Sequence, residues 1–326
     1  MFKRIIVSFL VILVIGFTFV SCDSDKGKAV PIETSSEKKT PLTLENYGSS
    51  DMKVTIQFSN LTASDSKLKY SIDGGEKQDV TLSTSVDITV PAGKTISFYD
   101  DRPTTTEDST IYTINCDKEC YVYGNVMSLI NSTDFKDLTS LENHEVIFMN
   151  LFNGNTQIKN HPTKTLVLPA IKLSVHCYRS MFEGCTGLTK APELPAEELA
   201  RGCYTFMFSG CSGLTAAPKL PAENLEESCY YLMFQNCTNL KKAPELPAKT
   251  LVSLCYYNMF RGCSDLSSIT CLATEIAIGA TTPTDGWLFG VASTGTFIKS
   301  ADAAPDFWAT NSTDGVPNGW VVENNK

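Results

Sequence analysis

The chain has 326 residues, and 27 lysines and arginines against 36 aspartates and glutamates give a formal net charge of −9 at pH 7. Its 42% hydrophobic and 19% charged residues are those of a folded protein with room for two domains and an ample core. An acidic chain without a basic run lacks the electrostatic footprint of a nucleic-acid binder, so nucleic acid is not expected as a partner.

Met1-Phe2-Lys3-Arg4 is a short basic start, residues 5–20 are almost wholly apolar, and Ser21-Cys22 precedes a polar, acidic stretch. The apolar run suits a secretory signal and is short for a membrane span. A plain signal peptide or a single anchor helix is the alternative. The ending FVSC resembles a bacterial lipobox, in which the cysteine is lipidated and becomes the first mature residue. That resemblance makes 1–22 a lipoprotein signal peptide and Cys22 the lipidation site, with acyl chains holding the protein to the membrane. CDSDK (22–26) resembles the acidic export tag of surface lipoproteins of Bacteroides. The implied location is lipid-anchored at the outer membrane and exposed at the cell surface. Removing 1–22 takes away Lys3 and Arg4 and no acid, so the mature charge is −9 − 2 = −11.

Residues 23–50 are polar, charged and without period, which predicts a flexible tether. Residues 51–123 hold KVTIQF, LKYSID, VDITV, TISFYD and YVYG, short runs rich in β-branched and aromatic residues with turn signals at DGG (73–75) and PAGK (91–94). They predict a small antiparallel β-sandwich. In INCDKECYV, a three-residue hairpin loop would set Cys116 opposite Cys120, with Ile114 and Val122 as the next pair, a geometry that permits a disulfide.

From 177 the chain repeats. CYRSMFEGC, CYTFMFSGC, CYYLMFQNC and CYYNMFRGC begin at 177, 203, 229 and 255, a period of 26. A divergent copy precedes them at 151–173, with Asn155 in place of a cysteine, and a last divergent copy begins at SSITCLAT. A period of 20–29 with regular leucines is a leucine-rich-repeat signature. The pattern CYxxMFxGCxxLTxAPELPA resembles the BspA-like leucine-rich repeat. Together with the lipoprotein start, the β-module and the ending GWLFGVASTGTF…GVPNGWVVE, it resembles surface lipoproteins of Bacteroides over nearly all of the mature chain. The predicted fold is α+β and multidomain: an N-terminal antiparallel β-sandwich, then a right-handed leucine-rich-repeat solenoid over 124–280 with short helices and weak parallel strands, then a C-terminal cap over 281–326. Pro192, Pro218 and Pro244 fall where the parallel strand would form and have no N–H to give it, whereas Ile269-Thr270 suits a strand. Trp287, Trp308 and Trp320 in the last segment read either as an aromatic binding site or as the seal of the solenoid, and the seal is the reading adopted.

On a helix at about 100° per residue, Cys203, Met207, Cys211, Tyr204 and Phe208 fill one arc from 0° to about 140°, a buried face. Two cysteines eight helical residues apart are separated by about 12 Å, too far for a disulfide. The spacing does not converge metal ligands, and His144, His161 and His176 do not recur with the repeat, so small buried thiols filling a core are the reading. No metal, cofactor or catalytic residue is expected; adjacent Glu197 and Glu198 read as solvated. The charges of Glu193, Lys219 and Glu245 alternate along the stack and can pair. The varying positions hold Arg179, Thr205, Tyr231 and Tyr257 in one column and Ser180, Phe206, Leu232 and Asn258 in the next. Phe206, Tyr231, Leu232 and Tyr257 are the candidate ligand-contact patch, unless another segment covers them. The expected function is a non-catalytic cell-surface adhesion module for a protein or glycan ligand. The alternative is a glycan-capturing accessory lipoprotein of a polysaccharide uptake system.

Overall fold

In the strand Met52–Ser59, buried Met52, Val54, Ile56 and Phe58 alternate with residues that are more open, the period-two pattern of a sheet with one face on a core. The computed structural model describes residues 36–59, 67–81, 83–102, 111–310 and 314–325. Cys22, the apolar start and the first part of the expected tether lie outside them.

The first eight strands are β1 (Thr43–Glu45), β2 (Met52–Ser59), β3 (Lys69–Ile72), β4 (Gln78–Asp79), β5 (Ser85–Val90), β6 (Thr95–Tyr99), β7 (Ile111–Cys116) and β8 (Cys120–Asn125). They form two antiparallel sheets, β4-β3-β6-β1-β8 and β5-β2-β7. β1 falls within the stretch expected to be a tether. It lies between β6 and β8, with Leu42 and Leu44 fully buried. Three residues are too few to show a period against a polar background, which is why composition read the segment as a tether. The chain turns from β7 to β8 at residues 117–119, and this is not the expected hairpin. Ile114 pairs with Ile56 and Val122 with Leu44, so the two strands belong to different sheets.

Beyond β8 the sheet continues in parallel. β9 (Ile158–Asn160) and β10 (Leu166–Val167) both pair with β8. Further along, β11 (Lys242–Leu246), β13 (Ser268–Cys271), β15 (Gly295–Lys299) and β16 (Trp320–Asn324) form a parallel sheet, and β12 (Thr250–Leu251) pairs with β14 (Glu275–Ile276). Residues 242–324 are therefore about three turns of a parallel β-solenoid. Proline shapes this side. Around Pro192 and Pro218 only the single bridge Lys190↔Ala216 remains. Pro244 lies inside β11 where the register with β13 shifts. Ser268–Cys271, which has no proline, pairs on both edges.

The short helices expected in the repeats are absent. Among the described residues the helical segments are 3-10 turns at Glu37–Lys39, Val126–Leu129 and Phe135–Asp137. CYTFMFSGC and its copies form instead a ribbon with a period of four. One residue in four has positive φ: 202, 206 and 210 in this layer, 228, 232 and 236 in the next. A helix needs every residue right-handed, and a left-handed residue each fourth step undoes the curl. The buried pairs follow the same count: Cys203-Tyr204, Met207-Phe208, then Cys211.

Backbone bonding explains why the ribbon is stable. The N–H groups of odd residues close turns, as Met207 N–H does to Tyr204 O (3.1 Å). The N–H groups of even residues cross to the next layer, as Tyr204 to Cys229 O (3.0 Å) and Phe208 to Met233 O (2.9 Å). Five such bonds join each successive pair of layers. Each crossing peptide accepts from the layer before and donates to the layer after, so the dipoles align along the stack, as in a helix. The ladder runs through six layers, 147–155, 177–185, 203–211, 229–237, 255–263 and 283–291. The sixth, PTDGWLFGV, lies in the segment expected to be a cap.

Side chains stack over this ladder. Phe152, Phe182, Phe208, Phe234 and Phe260 form one column at 5.5–5.8 Å between centroids. Tyr178, Tyr204, Tyr230 and Tyr256 form another, continued by Trp287 and Trp308.

Candidate functional site

The ribbon's two variable positions between each CY and MF pair are where a ligand surface was expected. Tyr231 and Tyr257 occupy the same position in adjacent layers, and their rings stack at 5.0 Å and 6°. Phe206 meets Tyr231 edge to face at 5.7 Å and 75°. All three are half-buried. Leu232 does not join them at the surface: it is 7% exposed. Its backbone is left-handed (φ 54), as is that of Phe206 (φ 58). A left-handed residue with a side chain costs roughly 1–2 kcal/mol, so both positions carry strain that the ladder and packing offset. Thr205 Oγ1 donates to Ser228 O (2.9 Å), and burial pushes the Tyr231 phenol up. The arrangement is a short aromatic row in which each tyrosine spends one ring face on the other.

Arg261 lies over the Phe289 ring at 4.8 Å, and Phe289 is 59% exposed. Phe289 is the sixth layer's counterpart of Arg261. Its neighbours Trp287 and Leu288 stand where the other layers have Met and Phe, and Gly286 and Gly290 stand at left-handed positions. An apolar pair followed by a glycine two residues on was the signal in the sequence, hidden because Pro283 and Val291 replace the cysteines.

The repeat cysteines are core groups with a hydrogen-bonding role. Cys185, Cys211, Cys237 and Cys263 donate S–H to the carbonyls of Phe152, Phe182, Phe208 and Phe234, one layer back, at 3.0–3.1 Å. Burial pushes the thiols of Cys203 and Cys211 up to about 12. Cys177, beside His176, is fully buried, and burial raises its thiol. Nδ1 of His176 faces Gly202 O (3.3 Å). Cys116 and Cys120 meet at Sγ–Sγ 3.4 Å. The three tryptophans are buried and donate through Nε1: Trp287 to Gly315 O, Trp308 to Ala273 O and Trp320 to Ala292 O. None offers an open ring to a ligand. No ion pair joins Glu193, Lys219 and Glu245, whereas Glu198 lies 3.9 Å from Lys172. Among the described residues no group of three or more His, Cys, Asp or Glu is placed to hold a metal ion, and no helix is long and apolar enough to cross a membrane.

A second aromatic cluster lies where the loop 161–164 docks on β1 and β8, and its members are too far apart in sequence to have been grouped. Tyr47 stacks on Tyr121 at 4.2 Å, and His161 meets Tyr121 and Tyr123 edge to face. Lys164 lies 4.0 Å over the Tyr123 ring and 2.9 Å from Glu45. Tyr47 donates to Glu119 (2.8 Å), and burial, then this bond, pushes its phenol up to about 12. These groups satisfy one another and fasten the loop.

No protein-family model, curated protein or solved structure matches the chain.

Proposed function

We propose that the protein is a lipid-anchored, cell-surface binding protein that recognises a protein partner through the outer face of its repeat ribbon and performs no chemistry. In this reading the antiparallel sheets are a β-sandwich base, the repeats are a BspA-like leucine-rich-repeat variant, and acyl chains on Cys22 hold the whole at the outer membrane. The observation that carries it is the half-buried row Phe206–Tyr231–Tyr257 on a ribbon whose backbone groups are already spent on the ladder. Rigid aromatic side chains in a preformed row are typical anchors of protein interfaces. The mutual stacking of Tyr231 and Tyr257 favours a protein over a sugar, because a sugar ring needs an open aromatic face. The buried, raised repeat thiols support recognition over catalysis.

The test is capture of surface partners from host and bacterial extracts by the wild-type chain and by Tyr231→Ala and Tyr257→Ala. Loss of a specific protein partner in both variants, with unfolding midpoints close to wild type, is expected. Binding to a polysaccharide array with no protein partner would replace this reading by the glycan-capturing one.

A further inference from the structure

We infer that Cys116 and Cys120 form an intrachain disulfide, a modification site at the corner where the two antiparallel sheets and the first ribbon layer meet. Their sulfurs stand 3.4 Å apart. Closing to a bond of about 2.05 Å needs an approach of roughly 1.4 Å. Every residue of the intervening loop is fixed. Asp117 Oδ1 accepts from Lys53 N–H (2.7 Å), and Asp117 N–H donates to Lys53 O (3.1 Å). Lys118 Nζ donates to Ser50 Oγ (2.9 Å) and to Asp51 O. Glu119 accepts from Tyr47 and pairs with Lys159 at 3.2 Å. The corner therefore holds the two thiols together instead of leaving their meeting to chance, which raises the effective concentration of one for the other.

The pair also differs from the other nine described cysteines. Cys116 alone among the eleven is not fully buried, which makes it the thiol of the pair nearer to solvent. Cys116 Sγ accepts from the Cys120 thiol and lies 3.5 Å from Asn155 Nδ2, contacts that favour its thiolate. Asn155 stands at the position held by Cys185 and its successors, and its amide donates to Ile114 O (3.0 Å) as those thiols donate one layer back. Ile114 N–H donates to Leu151 O, and Cys120 N–H to Gln157 O. The end of β7 is thus the layer on which the ribbon begins, and a bond between Cys116 and Cys120 would lock that first contact.

The oxidant is a disulfide of the glutathione or dithiol-oxidoreductase class. The Cys116 thiolate attacks one of its sulfurs and displaces the first thiolate. The displaced thiolate takes the Cys120 proton, and the Cys120 sulfur then attacks the Cys116 sulfur and displaces the second thiolate. Two protein thiols are oxidised, the reagent disulfide is reduced to two thiols, and the two protons from the protein end on them.

The experiment equilibrates the folded full chain with oxidised glutathione, or with dithiothreitol, then denatures, alkylates and digests it with trypsin. Cleavage after Lys118 separates the two cysteines. The glutathione sample should therefore give the two flanking peptides joined, two hydrogens lighter than their sum. The dithiothreitol sample should give them apart and alkylated. Cys116→Ser, a change at a partly open site, should abolish the joined species while the chain still folds. Full alkylation of both cysteines after oxidation, or glutathione retained on Cys116 with Cys120 free, overturns the inference.

Discussion

The antiparallel sheets and the repeat ribbon reach the same end, a fully bonded backbone over an apolar core, by different counts. In β2 the count is two, one side chain inward and the next outward. In 203–211 it is four: a fully buried apolar pair, then a small polar residue that is also buried (Thr205, Ser209), then a half-buried left-handed residue that closes the unit. The sheets draw their core from alternating residues of many strands. The ribbon draws its core from identical residues stacked along one axis. A change in the ribbon is felt by the layers on both sides, as expected of a quasi-one-dimensional stack.

The largest difference should come from removing one ring of the phenylalanine column. Phe208 is fully buried between Phe182 and Phe234, at 5.5 and 5.6 Å. Phe208→Ala is expected to cost about 3–5 kcal/mol. Denaturant unfolding should show this loss, and hydrogen exchange should show Phe182 and Phe234 losing protection with it. Val54→Ala in the central strand of the smaller sheet removes less buried area and should cost less. Equal effects would mean that the column is no more cooperative than the sheets.

Next in size is the thiol ladder. Cys211 is fully buried and donates S–H to Phe182 O at 3.0 Å. Cys211→Ala removes that bond and leaves a small void, an expected loss of about 1–2 kcal/mol. Cys211→Ser keeps a donor of similar size, so it should keep the layer contact but still pay for burying a hydroxyl. A serine variant as stable as wild type would show that the hydrogen bond outweighs the apolar character of sulfur at this position.

Smaller again is the cost of the left-handed count itself. Gly210 has φ 73, and a Cβ there would meet nothing nearer than Gly184 at 3.6 Å. Gly210→Ala therefore tests conformation without a clash, and about 1 kcal/mol of destabilisation is expected in a thermal or denaturant midpoint. No loss would mean that the ribbon tolerates side chains at these positions without strain, as it already accommodates Phe206 and Leu232.

The two counts also explain what could be read in advance. KVTIQF, LKYSID, VDITV, TISFYD and YVYG all lie on strands, because period two is short enough to show within five residues. Period four is close to the 3.6 of a helix, so CYTFMFSGC placed on a helical wheel still gathers into one arc. The drift of about 40° from Cys203 to Met207 and again to Cys211 was the trace of the true count. The column of Tyr231 and Tyr257 was legible, because equal spacing in a repeat places equal positions in line. The inward turn of Leu232 was not, because it depends on a left-handed backbone that no single letter signals. Cys116 and Cys120 stand 3.4 Å apart across a corner between sheets and not across the expected hairpin, since their strand partners, Val54 and Ile158, lie in other parts of the chain.

The smallest expected effect is a pH dependence at the junction of the two regions. His161 Nδ1 accepts from the N–H groups of Thr163 (3.1 Å) and Lys164 (3.0 Å), so the ring is neutral with its proton on Nε2, 3.6 Å from Glu45 Oε2. A second proton would have to sit on Nδ1 and displace both bonds. Burial first, and then the Lys164 ammonium, lower the pKa from its ordinary 6.5, with Glu45 acting in the opposite sense. The unfolded chain then binds the proton more readily than the folded one, so the contribution is present above about pH 6.5 and is lost as pH falls through the folded value. The unfolding midpoint should fall between pH 7 and pH 5. His161→Asn keeps an acceptor for the two N–H groups and cannot titrate, so it should flatten that slope in part. His176, whose pKa burial also lowers, adds to the slope in the same sense. An unchanged slope in His161→Asn would show that His161 does not carry the dependence.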